Sequence, residues 1–221
     1  MRAALFSLAM ACWSLAAEAQ VFDPSRFISL AVTVLRVEAP SGTGVLKAGT
    51  AITVAPGVVV TNCHVTRDAV SVRLARGGGL WPAVGQFADA QHDLCFLSVP
   101  GWTGRPVRFA DAGSLRLYQP VVAMGFTRGA DVSVSPGEIT GLHGYDGGWI
   151  IQTTTSFSSG ASGGALLDAE GGLIGILTFR LRGNNDQYFS LPASWVVARL
   201  PIPSDQFQPI RSLEGRAVWE A

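Results

Sequence analysis

Charge is scarce in this chain. Only 14% of its 221 residues are Asp, Glu, Lys or Arg, and the 16 acidic and 16 basic side chains cancel. With 48% hydrophobic residues, this composition excludes a disordered, self-repelling chain and supplies ample core material for one compact domain or two small halves. The basic residues form no run, and all but Lys47 are arginine, so nucleic acid and anionic membrane surfaces are unsuited as partners. Cysteine is nearly missing too. Cys12, Cys63 and Cys95 lack the two-residue spacing of structural zinc sites, and no metal or cofactor is expected. Long apolar runs are absent beyond the first twenty residues, which leaves no later membrane span. A helical period is present only over residues 193–200, where Pro201 stops it.

The first twenty residues differ from the rest. Arg2 gives a short positive start, residues 3–17 are nearly all apolar, and Ala17 and Ala19 supply the small side chains a signal peptidase reads. Residues 1–19 are expected to be a secretory leader, with 20–221 as the mature domain, periplasmic or secreted. A membrane anchor is the competing reading, but the run is short and ends at Glu18. A lipoprotein cut before Cys12 would place Ala9 where a larger aliphatic residue is usual. Removing the leader leaves two cysteines, an even number that permits one disulfide in an exported chain.

What fills the mature chain is β-structure. The 26 glycines and 12 prolines punctuate short runs rich in Val, Ile, Leu, Thr and Phe. Strands are expected at 29–37, 50–54, 57–62, 70–74, 94–99, 121–125, 137–142, 149–153, 165–167, 173–179 and 187–191. Such spacing indicates an all-β sandwich or barrels, and periodicity alone does not choose between them. The turn-rich stretch 101–119 is a natural midpoint, and the polar tail 204–221 is too short for another domain.

Three local patterns carry chemistry. Thr61-Asn62-Cys63-His64-Val65 ends one strand, His92-Asp93-Leu94-Cys95 opens another, and Ser159-Gly160-Ala161-Ser162-Gly163-Gly164 is a serine in a glycine-rich turn. Singly, each has a plain structural reading as a core histidine, a capping acid or a turn. Jointly, and in this order, they resemble the chymotrypsin-like (trypsin-like) serine peptidases, most closely the protease domain of the bacterial HtrA (Deg) family, over roughly residues 43–197. The spacings, 64 to 93 and 93 to 162, are similar to the compact bacterial branch.

The resemblance implies two six-stranded antiparallel Greek-key β-barrels, about 26–105 and 106–200, followed by a short C-terminal helix. It implies a catalytic triad of His64, Asp93 and Ser162, with the amides of Gly160 and Ser162 as oxyanion hole. The chemistry fits the residue types. A serine hydroxyl needs a base to take its proton, histidine serves near neutral pH, and a buried acid fixes the imidazole tautomer. By the same resemblance Cys63 and Cys95 lie on adjacent strands and pair, against the alternative of two free thiols. Ser156 matches the base of the specificity pocket. Thr178, Phe179 and Arg180 match the peptide-pairing strand, with Thr178 also supporting Asp93, and Tyr188 and Ser190 match the opposite wall. Ser156 is not acidic, so cleavage after Arg or Lys is not expected, and a small or medium neutral residue is favoured.

Two departures narrow the transfer. Ala161 replaces the acid that pairs with a new N-terminus in trypsin-type zymogens. No PDZ domain is expected after residue 203, so the regulation and assembly of HtrA proteins are not expected to carry over. His92 and His143 read as loop residues without a partner. The functional expectation is a serine endopeptidase acting on proteins or peptides without cofactor. Its competitors are a catalytically silent peptide-binding or chaperone-like module on the same fold, and an esterase using the same triad. The exported protein is expected to begin at Gln20; N-terminal sequencing checks this, and a retained Met1 would remove the leader.

Overall fold

The computed structural model describes residues 24–127, 131–183 and 186–220. The expected leader, 1–19, lies outside the described residues. Seven strands build the first half: β1 (Val34–Pro40), β2 (Leu46–Ala55), β3 (Val58–Asn62), β4 (Arg73–Arg76), β5 (Gly79–Pro82), β6 (Gly85–Asp89) and β7 (Leu94–Ser98). A single helical turn, α2 (Cys63–Thr66), follows β3, while α1 (Pro24–Leu30) precedes β1. Six strands build the second half: β8 (Pro120–Phe126), β9 (Val132–Tyr145), β10 (Gly148–Thr153), β11 (Ala165–Asp168), β12 (Leu173–Leu181) and β13 (Gln187–Pro192), closed by α3 (Ala193–Val197).

The second half is a closed barrel in the order β10-β13-β12-β11-β8-β9. The first is a curled sheet in the order β5-β4-β1-β2-β3-β7-β6. It has seven strands where the family likeness implies six; β5 and β6 are short and carry little of the β-branched signal by which a strand is read from sequence. All described strand pairs are antiparallel, so the all-β class holds. Differences from the expected strands have local causes. The expected 29–37 strand splits, since Pro24 can open a helical turn and the sheet begins only at Val34. Two tight hairpins turn on residues with positive φ, Gly77-Gly78 (52° and 84°) and Asp146-Gly147 (42° and 71°), the sign that two-residue hairpin loops require.

Strands buried on both faces explain the unbroken apolar runs. In β7 the first four residues, Leu94 to Leu97, are buried, and β3 has the same character. The largest core cluster joins the halves: Val34, Ile52, Val60, Leu94 and Phe96 pack with Val122, Met124, Ile176, Leu191 and Trp195. Each half adds a core of its own, around Leu35 and Leu74 in the first and Ile151 and Leu166 in the second. The tail is not loose. Gln208 and Gln86 exchange both backbone hydrogen bonds (2.7 and 2.9 Å), which lays the tail along the β6 edge. Arg67 grips Glu220 through both carboxylate oxygens (2.8 and 2.9 Å).

Phe96 is fully buried in the shared cluster. Phe96→Ala is expected to cost about 3–5 kcal/mol of stability. Urea unfolding followed by tryptophan fluorescence checks it, and a loss below about 1 kcal/mol would mean that the halves do not rely on this cluster.

Candidate active site

The site is assembled from both halves around one carboxylate. Asp93 is fully buried and opens β7 in a left-handed conformation, φ 53°. That strained geometry is held from behind, since its carbonyl accepts from the Cys63 amide and from Asn62 Nδ2, each at 3.1 Å. Its side chain accepts three further bonds. The His64 amide reaches Oδ1 at 2.8 Å, His64 Nδ1 reaches Oδ2 at 2.8 Å, and Thr178 Oγ1 reaches Oδ2 at 3.0 Å. A buried carboxylate is tolerable only when it is met this way. His64 sits on α2, and its side chain remains 33% exposed, so the ring has one side on the acid and another toward solvent. The lone lysine braces the turn behind it. Lys47 Nζ reaches the His64 carbonyl at 3.5 Å and Asp68 at 2.8 Å, and its hydrogen bond holds the Asp68 carboxyl below the usual carboxylate range.

Cys63 and Cys95 are joined, with S–S 2.11 Å and Cα–Cα 4.8 Å. The bridge links the segments that carry His64 and Asp93, and Thr61 pairs with Cys95 across the β3–β7 ladder.

Ser162 comes from the turn before β11. Gly160 and Gly163 there have φ of 97° and 86°, a region closed to most side chains. A Cβ on Gly163 would drive into the Thr50 carbonyl and Thr61 Oγ1. This turn is fastened to the first half by Thr50. The Thr50 amide donates to the Ser162 carbonyl at 2.8 Å, and its hydroxyl donates to the Gly160 carbonyl at 2.7 Å while accepting from the Phe126 amide at 2.9 Å. The amides of Gly160 and Ser162 donate to none of the described residues, so both are available to an incoming acceptor. Ser162 Oγ donates to the Thr178 carbonyl at 3.3 Å, and no described bond joins it to His64. Thr178 therefore touches both the acid and the serine, by hydroxyl and by carbonyl.

The remaining expected residues are placed as follows. Ser156 is exposed and its amide donates to Ser135 Oγ of β9 at 3.0 Å. Tyr188 packs on buried Phe157, ring centres 5.1 Å apart. Ser190 is fully buried, with a hydroxyl that has no partner among the described residues. The Phe179 ring stacks on Phe189 at 4.7 Å and on Trp219 at 5.9 Å, so it belongs to an aromatic stack. Arg180 faces Asp186 at 3.6 Å. His143 bonds Gln152 at 2.9 Å.

Reading His92 and His143 as loop residues without a partner is overturned: His143 lies within β9 and has Gln152, and His92, although in a turn, is partnered on both ring nitrogens. It is buried, with Asp89 at 2.8 Å on Nδ1 and Asp146 at 2.7 Å on Nε2. Asp146 is 54 residues away, which is why no local pattern could announce it. Thr50 was missed for the same reason. Among the described residues no group of His, Cys, Asp and Glu side chains is arranged to hold a metal, and no helix is long and apolar enough to cross a membrane.

A closed antiparallel barrel joined to a curled sheet, with a buried Asp–His pair from one and a glycine-framed serine from the other, defines the chymotrypsin-like peptidase architecture. The family model described as the trypsin-like peptidase domain matches residues 42–176, and the chain belongs to that family. It is 30% identical over 163 residues to the periplasmic serine endoprotease DegP of Salmonella typhimurium, covering 68% of this chain and 34% of that protein. It is 28% identical over 181 residues to the anti-sigma-I factor RsgI9 of Acetivibrio thermocellus, covering 80% of this chain and 26% of that protein. The chain thus spans only about a quarter to a third of the length of these relatives. Among structures, the HtrA-type protease AlgW with a tripeptide superposes with TM-score 0.72 at 25% identity, over 80% of this chain and 62% of that one.

Gly163→Ala is expected to lower stability by more than about 2 kcal/mol, because strain at positive φ adds to the collision. Thermal unfolding checks this, and an unchanged transition would show that the turn can relax.

Proposed function

We propose that the chain is a serine endopeptidase that uses His64, Asp93 and Ser162 as its triad and works through an acyl-enzyme. The observation that carries the reading is the buried Asp93 carboxylate, which holds His64 Nδ1 at 2.8 Å and is tied through Thr178 to the serine. With Nδ1–H committed to Asp93, the other ring nitrogen presents a lone pair. Ser162 Oγ leaves the Thr178 carbonyl, gives its proton to His64 Nε2 and attacks the substrate carbonyl carbon. The carbonyl oxygen takes up negative charge as it becomes tetrahedral, and the free amides of Gly160 and Ser162 receive it. The histidine then returns the proton to the leaving amine, and water repeats the sequence to release the acid. Asp93 stays ionised throughout and stabilises the imidazolium.

Peptides or proteins are the proposed substrates, in line with the tripeptide bound to AlgW and the name of DegP. Substrate chain would run beside β12, with Ser156, Thr178, Arg180, Tyr188 and Ser190 nearest the cleft, and with a neutral residue before the scissile bond. Export to the periplasm or beyond is proposed from the leader in the sequence. One observation favours the alternative of a silent peptide-binding module: the serine hydroxyl rests on the Thr178 carbonyl rather than on the histidine.

The two readings part on a fluorophosphonate probe followed by intact mass and peptide mapping. A single adduct on Ser162, absent in His64→Ala, is expected. Asp93→Asn should fold and lose about 10⁴-fold in kcat on a peptide substrate. Near-normal turnover in Asp93→Asn would remove Asp93 from the triad, and an unlabelled, folded wild type would turn the assignment to the binding module.

A further inference from the structure

Immediately before Asp93, His92 lies between two carboxylates that belong to different halves of the molecule. Asp89 ends β6 in the first half, and Asp146 is in the β9–β10 turn of the second. A carboxylate ion only accepts hydrogen bonds, and a neutral imidazole carries a single N–H. Bonds at 2.8 Å on Nδ1 and 2.7 Å on Nε2 therefore use the doubly protonated ring. The other groups packed on it complete the charge balance. Arg199, just beyond α3, donates to Asp89 Oδ2 from Nε (3.0 Å) and from Nη2 (2.6 Å), giving two cations for two anions. Trp195 lies against the imidazole, ring centres 4.2 Å apart, and its Nε1 donates to the Asp146 carbonyl at 3.2 Å. Tyr145, the last residue of β9, packs on Trp195. The neighbouring Asp93 carboxylate is turned away, toward His64 and Thr178.

We propose that His92 is a positioning residue: an imidazolium clamp between Asp89 and Asp146 that pins the start of β7 to the second half and so fixes Asp93 in its left-handed, His64-facing conformation. The clamp lies on the loop side of Asp93, opposite the bonds that Asn62 and Cys63 make to its carbonyl, so the residue is gripped on both flanks. Asp146 is the removable end. Its side chain is 66% exposed and water can take it up, whereas the Asp89 side chain is only 9% exposed and held by Arg199. Its positive φ, 42°, suits Gly and Asn, so both replacements leave the turn intact.

The consequence for turnover rests on the peptidase reading, so the test has one readout that does not. In the full chain labelled with ¹⁵N-histidine, both ring nitrogens of His92 are expected to carry protons, and the low-field proton of His64 Nδ1–H is expected to be sharp. In His92→Gln and Asp146→Gly that proton signal should shift or broaden. Fluorophosphonate labelling of Ser162 and kcat should fall about tenfold with KM within twofold, the mark of misplaced machinery rather than lost binding. Asp146→Asn, whose amide oxygen still accepts from Nε2–H, should restore most of the signal and rate. A His92 ring with one proton, or folded His92→Gln and Asp146→Gly proteins with the wild-type His64 signal, would overturn the clamp. If the wild type itself neither labels nor hydrolyses, the peptidase reading fails, and the His64 proton alone decides the clamp.

Discussion

The Asp93 carboxylate is buried completely and meets three donors, and the site is built around meeting that requirement. An ionised acid without partners in such a place would be far out of balance, and stripping one partner from a buried pair typically costs about 3–5 kcal/mol. Two donors come from His64 itself, amide and ring, so a single residue is fixed at both its backbone and its side chain. The third, Thr178, arrives from the opposite half. The need to satisfy one carboxylate thus brings β12 of the second half against the β3–α2–β7 corner of the first. The disulfide beneath them and the left-handed backbone at Asp93 keep that corner from adjusting in other ways.

The halves are joined by more than this acid. Thr50 of β2 fastens the Ser162 turn by its amide and its hydroxyl, so the serine of one half is positioned by a strand of the other. The shared apolar cluster does the bulk of the work by area, since burial is non-directional and grows with the surface removed from water. The polar contacts then select one register among those that burial would accept. The tail adds a third connection. Glu220 closes on Arg67, three residues after His64, and Trp219 stacks on Phe179, the neighbour of Thr178. A segment that reads as a polar remainder is in fact a strap across both halves.

These restraints suit the proposed chemistry. Catalysis by positioned dipoles demands groups that do not reorganise as charge develops. The glycine turn offers two amides without a partner among the described residues, on a backbone that Thr50, Leu177 and Ala161 hold in place, and the histidine ring is held by Asp93.

Much of this was legible in the chain itself. Apolar runs broken by Gly and Pro specify many short strands, because only buried strands need such runs and only turns need such breaks. The His, Asp and Ser motifs are local, so the chemistry at each could be read from neighbours within a few residues. The expected strands around 57–62, 94–99 and 173–179 lie close to β3, β7 and β12 for that reason. The Thr50 brace, the strap of the tail and the Asp146 carboxylate on His92 were not legible, since their partners are distant in sequence and no local pattern encodes a distance of 54 or 110 residues; β5 and β6 pair with near neighbours but are too short to announce themselves. The sequence by itself determined the element types and the reactive groups, through side-chain chemistry and spacing that act locally. Only the tertiary structure decided which of those groups meet, because that choice follows from packing two halves so that every buried charge finds its partner.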